Sequence, residues 1–86
     1  MNRVFVSGRI EKVPNVAYTP RGERIYSFPL RIEEGAFTID VIYKDPSGRH
    51  IHSGASAVVS GALEKIQVQS KNAFRINANT ILLTEE

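Results

Sequence analysis

The sequence has no cysteine, no tryptophan and a single methionine. Without cysteine there is no disulfide framework, no thiolate nucleophile and no cysteine metal site. Long apolar runs are also missing, and stretches such as Ile81-Leu82-Leu83 fall far short of a bilayer span. Met1-Asn2-Arg3-Val4 leads directly into strand-like alternation, with no apolar stretch of the signal-peptide kind. No glycine-rich phosphate loop precedes a helix, and no nucleophile, base and orienting group can be assembled. The only histidines, His50 and His52, could share one face of an extended segment, but nothing nearby completes a metal-ligand set. No internal repeat, linker or low-complexity segment interrupts the chain. These absences argue against an enzyme, a cofactor and a membrane partner, and they fit a cytoplasmic protein.

What is present is a small globular composition, 42% hydrophobic and 23% charged over 86 residues. That length holds one domain, residues 1–86, with one modest core. So small a domain buries little surface by itself, and a homodimer or homotetramer is expected. The net charge of +2 is unevenly spread. Residues 1–31 carry Arg3, Arg9, Lys12, Arg21, Arg24 and Arg31 against Glu11 and Glu23. Residues 32–45 reverse the sign, with Glu33, Glu34, Asp40 and Asp45 against Lys44. Residues 46–75 return to positive through Arg49, Lys65, Lys71 and Arg75 against Glu64. Two basic stretches around an acidic one can fold into a groove for a polyanion, or simply into a solvated surface of mixed sign.

The periodicity is that of strands. Val4, Val6, Gly8 and Ile10 alternate with Phe5, Ser7 and Arg9, a period of two. Pro14 and Thr19-Pro20-Arg21-Gly22 break the pattern with turn chemistry. A second strand sets Tyr26, Phe28, Leu30 and Ile32 on one face, with Pro29 predicting an irregular or unpaired edge. Glu33-Glu34-Gly35 turns into a third strand over 36–44, and Asp45-Pro46-Ser47-Gly48 forms the next turn. From there to Ser53 the chain is too short and too polar for a helix. A fourth strand spans 56–69, with Gly61 marking a bend or bulge. Ser70-Lys71-Asn72 turns into a fifth, where Phe74, Ile76 and Ala78 oppose Arg75, Asn77 and Asn79. Five strands at this spacing predict an all-β, closed or nearly closed barrel, which removes exposed sheet edges.

Periodicity does not distinguish among small five-stranded barrels, but particular residues do. The stretch NRVFVSGRIEKVPNVAYTPRGERIYSFPLRI, residues 2–32, resembles the opening of bacterial single-stranded-DNA-binding proteins, without a gap, through Gly8, Pro14, Tyr18, Pro20, Gly22 and Phe28. Gly54 to Leu63 is similar to the approach to that family's fourth strand, and Arg75 to Leu83, RINANTILL, to its closing strand. The resemblance implies a five-stranded OB-type Greek-key barrel and sequence-nonspecific binding of single-stranded DNA in replication, repair or replication restart. There are departures. Only Lys44 to Ser53 stands where the family has a helix, the loops are cut to tight turns, and the base-stacking tryptophans are absent. An acidic, phenylalanine-ended tail is missing after Thr84-Glu85-Glu86. A barrel without helix or tail is more similar to the primosomal relatives, primosomal replication protein N (PriB), or to phage or plasmid variants. It keeps a second reading open, an interaction module that docks replication proteins and touches DNA weakly.

Tolerant binding of single strands needs cations for phosphates and flat or apolar surfaces for bases. Arg31 falls on the outer face of the second strand. Arg21 and Arg24 flank the first hairpin loop, and Lys65, Lys71 and Arg75 flank the loop between strands four and five. These are the phosphate-contact candidates, with Lys44 beside them on strand three. Arg3 and Arg9, on the strand that the family uses for subunit pairing, are weaker ones. In strand three two registers compete. The family register puts Phe37 and Tyr43 on base-stacking positions but sends Asp40 toward the core, where an unpaired carboxylate is costly. Simple amphipathicity instead buries Phe37, Ile39, Val41 and Tyr43 and exposes Thr38, Asp40, Ile42 and Lys44. Tyr43, at the strand end, is the better placed of the two aromatics for exposure. Tyr18, Tyr26 and Phe28 read as core or loop-packing residues.

Overall fold

A computed structural model describes residues 1–45 and 51–84. Six strands run through them: β1 (Val4–Ile10), β2 (Asn15–Tyr18), β3 (Arg24–Ile32), β4 (Phe37–Asp45), β5 (Ser56–Val68) and β6 (Lys71–Thr84). The five anticipated strands are all there, and β2 is an addition. The order β1-β5-β6-β4-β3-β2 closes on itself because the end of β1 also pairs with β3, through Arg9↔Arg31 and Ile10↔Leu30. All neighbours are antiparallel except β4 and β6, which run parallel. The predicted turn at Pro46, Ser47 and Gly48, and His50, lie outside the described residues.

Alternation builds the core. Tyr26, Phe28, Leu30 and Ile32 point inward from β3 and meet Ile10, Val41, Val59, Ile76 and Ile81. Ile51, in the connection between β4 and β5, is buried and joins the same cluster. Two glycines are required by close approach. A Cβ on Gly8 would run into the Arg31 carbonyl and sit 3.0 Å from Leu30 Cγ, where β1 crosses onto β3 to shut the barrel. One on Gly61 would strike Asn77 and lie 2.7 Å from the Ala78 Cα. There the β5–β6 register slips, from Ser60↔Thr80 to Gly61↔Ala78, so the residue left over is Asn79 of β6. Gly61 marks the predicted bulge, but the extra residue stands on the opposite strand.

β2 continues the path of β1 along β3, with Asn15↔Ser27 following Ile10↔Leu30. Four residues, 11–14, therefore face only Phe28 and Pro29, which have no register partner on that side. The irregular edge expected at Pro29 is where the barrel closes, because proline has no N–H to donate. The turn at Thr19–Gly22 is as anticipated, with Gly22 N–H donating to the Thr19 carbonyl at 2.9 Å. At the other hairpin the tip is Gln69-Ser70, both with positive φ (52° and 67°), and Lys71 and Asn72 already belong to β6. Two successive positive φ values make the primed turn whose twist matches the strands it joins.

Candidate nucleic-acid interface

Register decides where each candidate stands. β5 pairs with β1 only as far as Gly61, and β6 pairs with β4 only from Arg75 onward. The rest of the β5–β6 hairpin, out to Val68↔Lys71, is a two-stranded arm beyond the barrel. Lys65 faces Phe74 directly across this arm, and Lys71 stands at its tip. All three are exposed. Phe74 is 55% exposed although its parity is that of buried Ile76 and Ala78, because it stands beyond the stretch of β6 that pairs with β4. Phe74 is the residue that alternation alone missed. The signal was the length of the two strands, which outrun β4.

The cations gather at two ends of the β3–β4 pair. Arg31, partnered with Thr38, and exposed Phe37, partnered with Ile32, stand at the end that also carries the arm. Arg24, Lys44 and the exposed Arg21 stand at the other end, seven residues away along β3, with Arg24 on the inward parity of Tyr26, and Arg31 and Lys44 on the outward one. At about 3.3 Å per residue the separation is roughly 23 Å, within the few-nucleotide site of one OB barrel. Lys44 Nζ lies 3.9 Å from Glu23 Oε1, and Arg24 donates to the Tyr26 hydroxyl at 3.2 Å.

Between the two ends stand the Arg75–Glu64 pair and the exposed Asp40. Arg75 lies 2.7 Å from Glu64 Oε1 through its Nε, and Asn77 donates to Glu64 Oε2 at 3.0 Å. Arg75 first, then Asn77, holds the Glu64 carboxyl below its ordinary value, with desolvation opposing them. Glu64 thus favours the folded state while ionised, and this contribution is present above its ordinary range and lost as pH falls below it. Arg75 was a candidate on the strength of flanking the last loop, and its guanidinium is already engaged. The side chains of Lys65, Lys71, Arg21 and Arg31 have no ion pair or hydrogen bond among the described residues.

In strand β4 the amphipathic register holds. Val41 is buried, Ile39 and Tyr43 pack against the core cluster, and Asp40 is exposed. Tyr43 shares a row with Val16, Tyr26 and Ala78, two of them buried. Phe37 has the inward parity but stands at the strand end and is 51% exposed. The two aromatics therefore occupy different environments, and of the pair it is Phe37 that presents surface.

No family model matches the chain. A single-stranded DNA-binding protein of Bacillus cereus is 26% identical over 95 residues, covering 95% of this chain and 56% of the relative. The chain thus spans about half the length of the curated relatives it matches. Among solved structures, the single-stranded DNA binding protein from Thermus aquaticus superimposes with a TM-score of 0.83 at 19% identity, over 100% of this chain and 41% of that one. The N-terminal domain of PriB from Thermoanaerobacter tencongensis, a dimeric structure, gives 0.74 at 19% identity, over 99% and 98%. In sequence and in architecture alike, the chain is similar to bacterial single-stranded DNA-binding proteins and carries their OB-type barrel.

Proposed function

We propose that this chain binds single-stranded DNA with little sequence preference, in replication, repair or replication restart, in the cytoplasm and without enzymatic activity. The observation that carries the reading is the pairing of exposed Phe74 with Lys65 on an arm tipped by Lys71. An aromatic face for a base beside cations for phosphates is the minimal unit of tolerant single-strand binding. Arg31 and Phe37 extend that unit onto the barrel, and Arg21, Arg24 and Lys44 receive the strand at the far end. The similarity to single-stranded DNA-binding proteins supports the same reading. Its test is a fluorescence-anisotropy titration with oligo-dT at two salt concentrations. Binding that weakens steeply with salt is expected, and a protein that binds no oligomer at low salt would end the proposal.

The same reading includes a homo-oligomer. Among the described residues, β1 is paired on one side only from Val4 to Gly8, leaving an open strand edge. The adjoining outer face sets Phe5, 76% exposed, beside the row Ser7–Val58–Leu82, with Leu82 58% exposed. An open edge next to an apolar face invites a second copy through a twofold axis, and doubling of such dimers gives a tetramer. Light scattering should report at least twice the 9.6 kDa chain mass. A monomer persisting at high protein concentration would refute the assembly.

A further inference from the structure

The gap at Pro29 opens a cleft of about 390 Å³ on the outer face, lined by Lys12, Val13, Asn15, Pro29, Asp40 and Arg75 among others. Its volume falls in the range of small-ligand sites. Val13 and Pro29 contribute apolar surface to its lining. Its rim carries opposite charges. Arg75 is paired through its Nε with Glu64 on β5, and the Asp40 carboxylate has no hydrogen-bond or ion-pair partner among the described residues. Lys12 and Asn15 are likewise unengaged. A bare carboxylate in the middle of a surface that receives a polyanion is unfavourable unless something in the ligand donates to it.

We propose that this cleft seats one unpaired base of the bound strand and that the Asp40 carboxylate reads its edge, favouring guanine. A carboxylate only accepts, and its two oxygens accept best from two donors side by side. Guanine presents N1–H and the 2-amino group in that arrangement. Adenine and cytosine each offer one amino donor next to a ring nitrogen whose lone pair opposes the carboxylate, and thymine's N3–H lies between two carbonyls. The base lies against Pro29 and Val13, Asn15 is within the same cleft for its remaining polar edge, and Lys12 takes the adjacent phosphate. Single-stranded bases are read in this way, stacked on one face and hydrogen-bonded at the Watson–Crick edge. The proposal rests on the single-strand reading above and adds one position of base preference to it.

The test uses oligo-dT carrying one central dG, deoxyinosine, dA or dC, a single guanine being unable to fold into a quadruplex. The unsubstituted protein should bind the dG oligomer roughly tenfold more tightly than all-dT, the scale of one bidentate contact. Deoxyinosine, which keeps N1–H and lacks the 2-amino group, should fall between. Asp40→Asn, at an exposed position, should melt like the parent, lose the guanine preference and bind all-dT at least as well, since a repelling charge is gone. Binding of all-dT with no preference for dG overturns the cleft while leaving the single-strand reading intact, and so does a guanine preference that survives in Asp40→Asn. Failure to bind any oligomer overturns both.

Discussion

Replacing Tyr43 by alanine should cost about 3 kcal/mol of stability, whereas replacing Phe74 by alanine should leave the melt nearly unchanged and cost roughly 1–3 kcal/mol of oligo-dT binding. The two residues divide fold from function. Tyr43 lies in a row with Val16, Tyr26 and Ala78 and packs on the core cluster, so truncation leaves a hole beside buried side chains. Phe74 is 55% exposed on the arm, where the unfolded chain gains little by uncovering it. For Tyr43→Ala, affinity measured well below the melt should stay close to that of the parent. A Tyr43→Ala protein as stable as the parent but several-fold weaker on oligo-dT would return Tyr43 to the binding face. A Phe74→Ala protein with parental affinity would remove the arm's aromatic from the interface.

How much of this was legible beforehand follows the range of each interaction. The inward face of β3 was readable because Tyr26, Phe28, Leu30 and Ile32 obey one period, and burial follows that period residue by residue. The Pro29 edge was readable for a still more local reason, the missing N–H. β2 was not, since all four of its residues are exposed and no apolar period exists to announce it. Asp40 outward and Tyr43 inward follow from amphipathicity, against the pull of the family register.

The site was legible as a set of residue types and not as a geometry. Lys65 and Lys71 were found because they flank a turn. That Phe74 faces Lys65, and that Glu64 takes Arg75, depends on the β5–β6 register, which the Ser60/Gly61 slip shifts by one. Without the slip the parities of the arm would be reversed relative to each other. Likewise, that Arg31 and Arg24 stand at opposite ends of β3 and on opposite faces follows from strand length and alternation, and sequence proximity hides it. Long-range register is set by the closed barrel as a whole, so no local window carries it.

Removing the arm's cations should change the salt dependence of binding more than any other substitution on the surface. Lys65 and Lys71 are exposed, and their side chains are unengaged among the described residues, so each is available to neutralise a phosphate and release its counterion. For single strands the logarithm of affinity falls with the logarithm of salt by about 0.7 per phosphate contact, so Lys65→Ala with Lys71→Ala should flatten the slope by about 1.4. The loss should be largest at low salt and shrink as salt rises. Arg75→Ala should do less, because Glu64 already holds the guanidinium at 2.7 Å. Glu64→Gln provides the converse: it removes the countercharge, frees Arg75 for a phosphate, and should raise low-salt affinity while steepening the slope by up to about 0.7. The half-exposed ion pair is worth too little to folding for either change to confuse the comparison. Equal slopes for the parent and the double lysine variant would mean that the strand does not run along the arm. A Glu64→Gln protein indistinguishable from the parent would place Arg75 outside the path of the phosphates, and the cations at the Arg21–Arg24 end would then have to account for whatever salt dependence is observed.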